Sequence, residues 1–171
     1  MTIRRLAAVL AADVAGYSRL MHADEEGTHG RFTALMTGMI QPAIAGHGGR
    51  IVKSTGDGFL ADSPSAVEAA KCALQFQMQI ARDAIQEPED RRLAFRVGIH
   101  LGDVIVEERD IYGDGVNVAA RLEALAEPGG IVVSGVVHEN VRGPVSCAFE
   151  DMGDQTVKNI ASPVRTYRVP P

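Results

Sequence analysis

LAAVLAADVAGYS, Leu6 to Ser18, opens with an unbroken apolar run and closes on a carboxylate and a glycine turn. A run such as Leu6 to Ala12, with no polar alternation, suits a central strand covered on both faces. It leads directly into Asp13, so a charge stands at the strand's end. VAGYS follows at once, and a turn through Gly16 that enters a helix presents free N–H groups at a positive dipole end. RIVKSTGDGF, Arg50 to Phe59, repeats the theme. Ile51 to Thr55 alternates, and TGDG, Thr55 to Gly58, has the composition of a tight hairpin turn with Asp57 inside it. If these strands pair, Asp13 and Asp57 become neighbours.

Between the two segments, from about Asp24 to Ala45, apolar residues recur at helical spacing: Phe32, Leu35, Met36, Met39, Ile40, Ala43 and Ile44. Pro42 should kink or end that helix locally, and GHGG, Gly46 to Gly49, stops it. Ser65 and Glu68 have capping-box spacing at the start of the next helix, with Pro64 before them. Val67, Ala70, Leu74, Met78, Ala81 and Ile85 form its expected buried stripe. EPEDRR, Glu87 to Arg92, reads as a charged loop. Phe95, Val97, Ile99 and Leu101 alternate as a strand with one buried face, and Asp103 to Val106 is expected to return antiparallel to it. Gly113 to Ala126 reads as a helix stopped by EPGG. Ile131 to Ser134 is a short strand and Val136 to Val141 a short helix. Cys147 to Met152 and Val164 to Val169 complete the strands.

The resulting order, β-α-β-β-α-β followed by β-α-β-α-β-β, predicts an α+β fold. Its centre is a ferredoxin-like βαββαβ core with an antiparallel sheet, helices on one face, and C-terminal additions. At 171 residues the chain suits one domain, residues 1–171. Pro170-Pro171 has the composition of a linker's beginning. A hydrophobic content of 46% with 23% charged residues is that of an ordinary globular protein. The net charge of −5 argues against a nucleic-acid polymer as partner. No apolar stretch approaches the length of a membrane span. MTIRRLAAVLAAD has a basic start and an apolar run, but Asp13 interrupts it, so it reads as a strand rather than a signal peptide. Cys72 and Cys147 lack metal-type spacing and fit free thiols in a reducing cytoplasm.

The polar residues left over carry the chemistry. Magnesium prefers oxygen and commonly takes one or two carboxylates plus phosphate oxygens, which suits Asp13 and Asp57. The VAGYS turn, Gly16, Tyr17 and Ser18, suits a triphosphate. Asn117 and Arg121, four apart, share a helix face beside the apolar stripe of Val118, Leu122 and Leu125. Arg can offset charge on a transferring phosphoryl group, and Asn can position a sugar. Lys53 and Asp110 supply the donor and the acceptor that adenine's edge requires, whereas guanine presents the opposite polarity. Read singly, each residue has an ordinary role: a cap, a turn residue, a strand-surface lysine, a loop acid. His22, His29, His47, His100 and His138 show no metal spacing, His100 being placed on the polar face of its strand. Ser134 lacks the flanks of a nucleophile elbow.

Taken in order, ADVAGYS (Ala12–Ser18), GGRIVKSTGDGFLA (Gly48–Ala61), FRVGIHLGDV (Phe95–Val104), DIYGDGVNVAARLE (Asp110–Glu123), GGIVVS (Gly129–Ser134) and the closing VKNIASPVRTYRV resemble the catalytic domain of the class III adenylate and guanylate cyclases. The resemblance implies conversion of ATP to cyclic AMP and pyrophosphate. It implies two magnesium or manganese ions on Asp13 and Asp57, with the backbone carbonyl of Val14 as a further ligand. Lys53 and Asp110 would select adenine, where guanylate cyclases carry Glu and a small residue. Asn117 would orient the ribose, Arg121 would neutralise charge at phosphorus, and Lys158 would reach the terminal phosphates. Tyr112 stands where many relatives have Trp. The family's head-to-tail dimers further imply a homodimer with shared sites, and a regulatory domain or protein in trans is compatible with it. The alternative left open is a catalytically silent regulatory or nucleotide-sensing module on the same fold. A diguanylate cyclase is disfavoured, because the GG-[DE]-EF loop is absent.

Overall fold

The computed structural model describes residues 3–158 and 160–171. Met1 and Thr2 of the opening segment and Asn159 of VKNIASPVRTYRV lie outside the described residues.

Among the described residues the strands form one sheet. β1 (Ile3–Val14) lies at its centre, flanked by β3 (Gly58–Ser63) and β4 (Phe95–Glu107). The sheet continues outward through β2 (Arg50–Ser54) on one side, and through β6 (Ile131–Ser134), β8 (Val164–Val169) and β7 (Glu150–Gln155) on the other. The order is β2-β3-β1-β4-β6-β8-β7, with β5 (Asp110–Tyr112) paired to β4 alone. The β2-β3-β1-β4 portion is antiparallel throughout and is the expected ferredoxin-like core. The sheet as a whole is mixed, because β4 and β6 run parallel.

The helices are α1 (Tyr17–Ala23), α2 (Glu25–Leu35), α3 (Gln41–Gly46), α4 (Ala66–Ala84), α5 (Asp114–Leu125) and α6 (Gly135–Val141). A π-helical turn, Met36–Ile40, joins α2 to α3. Pro42, at the start of α3, lacks an N–H and would crowd the carbonyl four residues back. The wider turn before it is where the expected kink falls.

Alternation along β1 divides the core between both faces of the sheet. Ala8, Leu10, Ala12 and Val14 pack with α3, α4 and α6 through Ile44, Phe76 and Val137. Ala7, Val9 and Ala11 pack on the other face, against Ala119 of α5 and Ile111 of β5. The helices therefore lie on both faces, not on one. α5 crosses to the second face because its own stripe, Val118, Ala119 and Leu122, is buried there.

Three local expectations are corrected. Asp103 to Val106 is not a returning strand: β4 runs on to Glu107, still paired with β1 as far as Ile3, and β5 makes the return. The strand expected from Cys147 begins at Glu150. The buried face of α4 is Ala66, Ala69, Ala70, Cys72, Ala73, Phe76, Gln77 and Ile80, so Ala70 is buried as expected, while Met78 and Ile85 are 56% and 72% exposed. Gln77 belongs inside because its Nε2 donates to the carbonyls of Phe95 at 2.9 Å and Gly130 at 3.0 Å. The Ser65 hydroxyl caps α4 as expected, accepting from the Glu68 N–H at 3.1 Å. Cys72 and Cys147 are free thiols.

Candidate active site

The last residues of β1 gather the first group of side chains. Asp13 stands opposite Gly58 of β3 and Arg96 of β4, so residues directly opposed across the sheet surround it. The Val14 N–H donates to the Asp57 carbonyl at 2.8 Å, which ties the Thr55–Gly58 turn to the end of β1. The Thr55 hydroxyl lies 3.4 Å from Asp57 Oδ1. The expected meeting of Asp13 and Asp57 is what the strand register produces. One oxygen of Asp13, Oδ1, is buried without a hydrogen-bond partner among the described residues.

A third carboxyl joins them from α5. Glu123 is half-buried and lies beside Asp13. Burial pushes its pKa up to about 8, and the neighbouring Asp13 adds to this, with Asp57 contributing and Arg96 opposing. Asp13 is itself held above the ordinary carboxylate range, first by burial and then by Asp57, with the neighbouring Glu123 and Arg96 opposing. Neither Glu123 nor Arg96 stood out in the sequence. An acid on a helix flank reads as solvated, and only strand register reveals that Arg96 adjoins Asp13.

A second group lies on the same face of the sheet, over β2. Lys53 Nζ is 3.7 Å from Asp110 Oδ2. The Ile111 N–H donates to Asp110 Oδ1 at 2.8 Å, which fixes the carboxylate at the start of β5. A β-bulge aims the lysine. Ile51 pairs with Ala61, but Lys53 pairs with Leu60, so Val52 is the extra residue. In unbroken register Lys53 would lie opposite Phe59 and point into the α4 side of the core. The bulge turns it to the α5 side with Leu60.

The remaining candidates are more exposed. Asn117 and Arg121 share the outer face of α5, and neither side chain makes a hydrogen bond or ion pair with another described residue. Gly16, with φ 64°, caps α1 without a side-chain bond. Tyr17 turns its ring to Phe32, centroids 5.7 Å apart, which leaves its backbone rather than its side chain for a ligand. Ser18 is exposed. Lys158 is exposed beside Val157, which packs with Val118 and Leu122 of α5. His100 lies, as expected, on the face of β4 opposite Phe95, Val97 and Ile99, and its Nδ1 is 2.8 Å from the buried Ser134 Oγ of β6. Burial lowers its pKa to about 4. No group of three or more His, Cys, Asp or Glu among the described residues is placed to enclose a metal ion unaided.

The profile of the adenylate and guanylate cyclase catalytic domain matches residues 5–170. The chain belongs to that family. It is 49% identical over 164 residues to "Putative adenylate cyclase 3" of Rhizobium meliloti, an alignment covering 96% of this chain and 28% of that protein. It is 35% identical over 133 residues to an adenylate cyclase of Streptomyces coelicolor, covering 78% of this chain and 33% of that one. The chain thus spans about a third or less of the length of these two relatives. The crystal structure of an adenylate/guanylate cyclase/hydrolase from Silicibacter pomeroyi superposes with a TM-score of 0.94 at 47% identity, covering 100% of this chain and 99% of that one. The adenylyl cyclase CyaB of P. aeruginosa, at 23% identity, shares the fold with a TM-score of 0.79. The α+β cyclase fold, with its mixed and mostly antiparallel sheet, is thereby shown, and the nucleotidyl cyclase domain is this chain's class. Among the described residues no helix is long and apolar enough to cross a membrane.

Proposed function

We propose that residues 1–171 form one adenylate cyclase domain that converts ATP to cyclic AMP and pyrophosphate at sites shared between two copies of the chain. The observation that carries the choice of ATP is the Lys53–Asp110 pair, 3.7 Å apart and turned to one face by the bulge. Adenine offers a ring-nitrogen acceptor and an amino donor, which the ammonium and the carboxylate complement. Guanine would leave both unpaired at a cost of about 1–3 kcal/mol each.

The donor set at the end of β1 fits a divalent cation. Asp13 and Asp57 supply hard oxygen donors, and the buried, unpartnered Asp13 Oδ1 lacks a ligand of its own. Asp13, Asp57 and the Val14 carbonyl would hold magnesium or manganese. Two such ions would lower the pKa of the ribose 3′-hydroxyl and offset phosphate charge during in-line displacement. The backbone of Gly16, Tyr17 and Ser18 offers N–H groups to the triphosphate. Asn117 orients the ribose, Arg121 balances the charge that develops at phosphorus, and Lys158 reaches toward the leaving pyrophosphate. Within one chain, no hydrogen bond or ion pair among the described residues joins Lys53, Asp110, Asn117 or Arg121 to Asp13 and Asp57. A head-to-tail dimer would bring the acids of one copy to the base-reading and arginine residues of the other. The ATP requirement and the free thiols suit a cytoplasmic location.

The test is turnover of ATP and GTP by the purified chain with Mn2+, measured across protein concentration. Cyclic AMP as the dominant product, with specific activity rising with concentration, is expected. Folded protein that forms no cyclic nucleotide would favour the silent module, and a preference for GTP would overturn the reading of Lys53 and Asp110.

A further inference from the structure

Asp62 of β3 has no place in the scheme above, yet two guanidinium groups converge on it. It is 3% exposed and stands opposite Val9, on the α5 face of the sheet. Arg5 of β1 donates from Nη2 to Asp62 Oδ2 at 2.6 Å. Arg50 of β2 donates from Nε to Oδ1 at 3.1 Å and from Nη2 to Oδ2 at 3.4 Å. A buried carboxylate requires a cationic partner, and Arg5 already provides one. The two-pronged bond from Arg50 does something more: it fixes the plane of a rigid guanidinium. The remaining nitrogen, Nη1, is thereby aimed at the Glu108 carbonyl, 3.5 Å away in the turn between β4 and β5.

The two elements that Arg50 connects carry the base-reading pair. Lys53 follows Arg50 by three residues, and Asp110 follows Glu108 by two. β2 lies at the end of the sheet, paired to β3 alone, and its register shifts between Ile51 and Lys53. β5 is three residues long and paired to β4 alone. Sheet order places β1 and β3 between β4 and β2, so no ladder sets the distance from Lys53 to Asp110. Among the described residues, the side-chain bonds from β2 to the β4–β5 hairpin are Lys53–Asp110 itself and Arg50–Glu108. An ion pair as exposed as Lys53–Asp110 contributes little to its own placement.

We propose that Arg50 is a positioning residue for base recognition: anchored on Asp62, it docks the β4–β5 turn against β2 and so sets the separation of Lys53 and Asp110. The inference rests on the cyclase reading, because Arg50 acts only through that pair. Lysine cannot substitute, since an ammonium paired with Asp62 has no rigid second arm for Glu108.

Arg50→Lys and Arg50→Met separate this role from a structural one. Arg5 still pairs with Asp62 in both, so both should melt close to the parent. The readouts are the KM for ATP and the inhibition constant of GTP as a competitor, measured with Mn2+. Each variant should raise the ATP KM about tenfold and weaken GTP by no more than about twofold. A displaced pair loses its match to adenine but not the phosphate contacts that both nucleotides share. Equal losses for ATP and GTP would overturn the proposal, as would a parental ATP KM in either variant. In an Asp110→Ala background no pair is left to position, so Arg50→Met should add no more than about twofold. The full tenfold effect there would also overturn it. Asp110→Ala alone is the control for the underlying reading. If it leaves the ATP KM and the GTP constant unchanged, the base-reading assignment fails and this inference with it. If it weakens ATP and neither Arg50 variant does, only the positioning role fails.

Discussion

His100 of β4 stands beside the buried Ser134 of β6, and a neutral imidazole there limits the fold at acid pH. The folded pKa of about 4 lies below the ordinary value of 6.5. Between those values the unfolded chain binds the extra proton, so stability rises with pH across this window and falls as pH drops through it. The loss from His100 should be on the order of 2 kcal/mol between pH 6.5 and pH 4. Urea denaturation at the two pH values, compared with His100→Gln, measures it, and the variant should show the smaller drop. Glu123 acts with the opposite sign. Its raised pKa means the folded chain holds a proton that the unfolded chain has released, so its contribution is present below the ordinary carboxylate value and lost as pH rises through about 8. Without divalent cations, Glu123→Gln should flatten the alkaline side of the stability profile. At this scale the sequence was legible where a residue's neighbours in the chain determine its setting. Asp13 ends an apolar run and Asp57 sits in a turn, and they do meet. Arg96 and Glu123 were not legible, because what sets them beside Asp13 is strand register and the absence of a side chain at Gly98, where a Cβ would lie 2.3 Å from the Glu123 nitrogen.

Elements were legible in proportion to how strongly their periodicity separated faces. β1 read correctly over Leu6 to Ala12, where its apolar run is unbroken. α4 did not, because its inner face is built of Ala66, Ala69 and Ala73 around Phe76, with Gln77 buried for its hydrogen bonds, while bulkier Met78 and Ile85 face outward. The bulge in β2 carries no compositional mark, yet it decides which way Lys53 points. α2 offers a test of local reasoning, since two glycines of one helix differ in what surrounds them. Gly30 is exposed, and a Cβ there would meet nothing within 4 Å. Gly30→Ala should therefore raise stability by about 0.5–1 kcal/mol by removing backbone entropy from the unfolded chain. Gly27 donates its N–H to Asp24 Oδ1 at 3.0 Å, and a Cβ there would lie 2.1 Å from the other carboxylate oxygen. Gly27→Ala gains the same entropy but displaces the helix cap, which costs about 1 kcal/mol. Chemical denaturation should show a clear gain for Gly30→Ala and little or none for Gly27→Ala.

The proposed shared site would be a property of two chains, and the decisive prediction belongs there. Asp57 lies in a partly exposed turn, and its structural bond to Val14 uses the backbone carbonyl, which substitution retains. Asp57→Ala should fold and melt like the parent while losing at least about 100-fold in cyclase rate, the scale expected when electrostatic stabilisation of a transition state is removed. Arg121, exposed on α5 with no partner among the described residues, should behave likewise when changed to Ala. If each site takes Asp13 and Asp57 from one copy and Arg121 from the other, a mixed dimer of the two variants has one site with both defects and one with neither. Random equal mixing makes half the dimers mixed, so activity should recover to roughly a quarter of the parent value. The same mixture would stay inactive if each site were built within one chain, because every site would then carry a defect. Rates measured on Asp57→Ala and Arg121→Ala separately and after co-refolding, with the mixed dimer counted by differently tagged chains, distinguish the two arrangements.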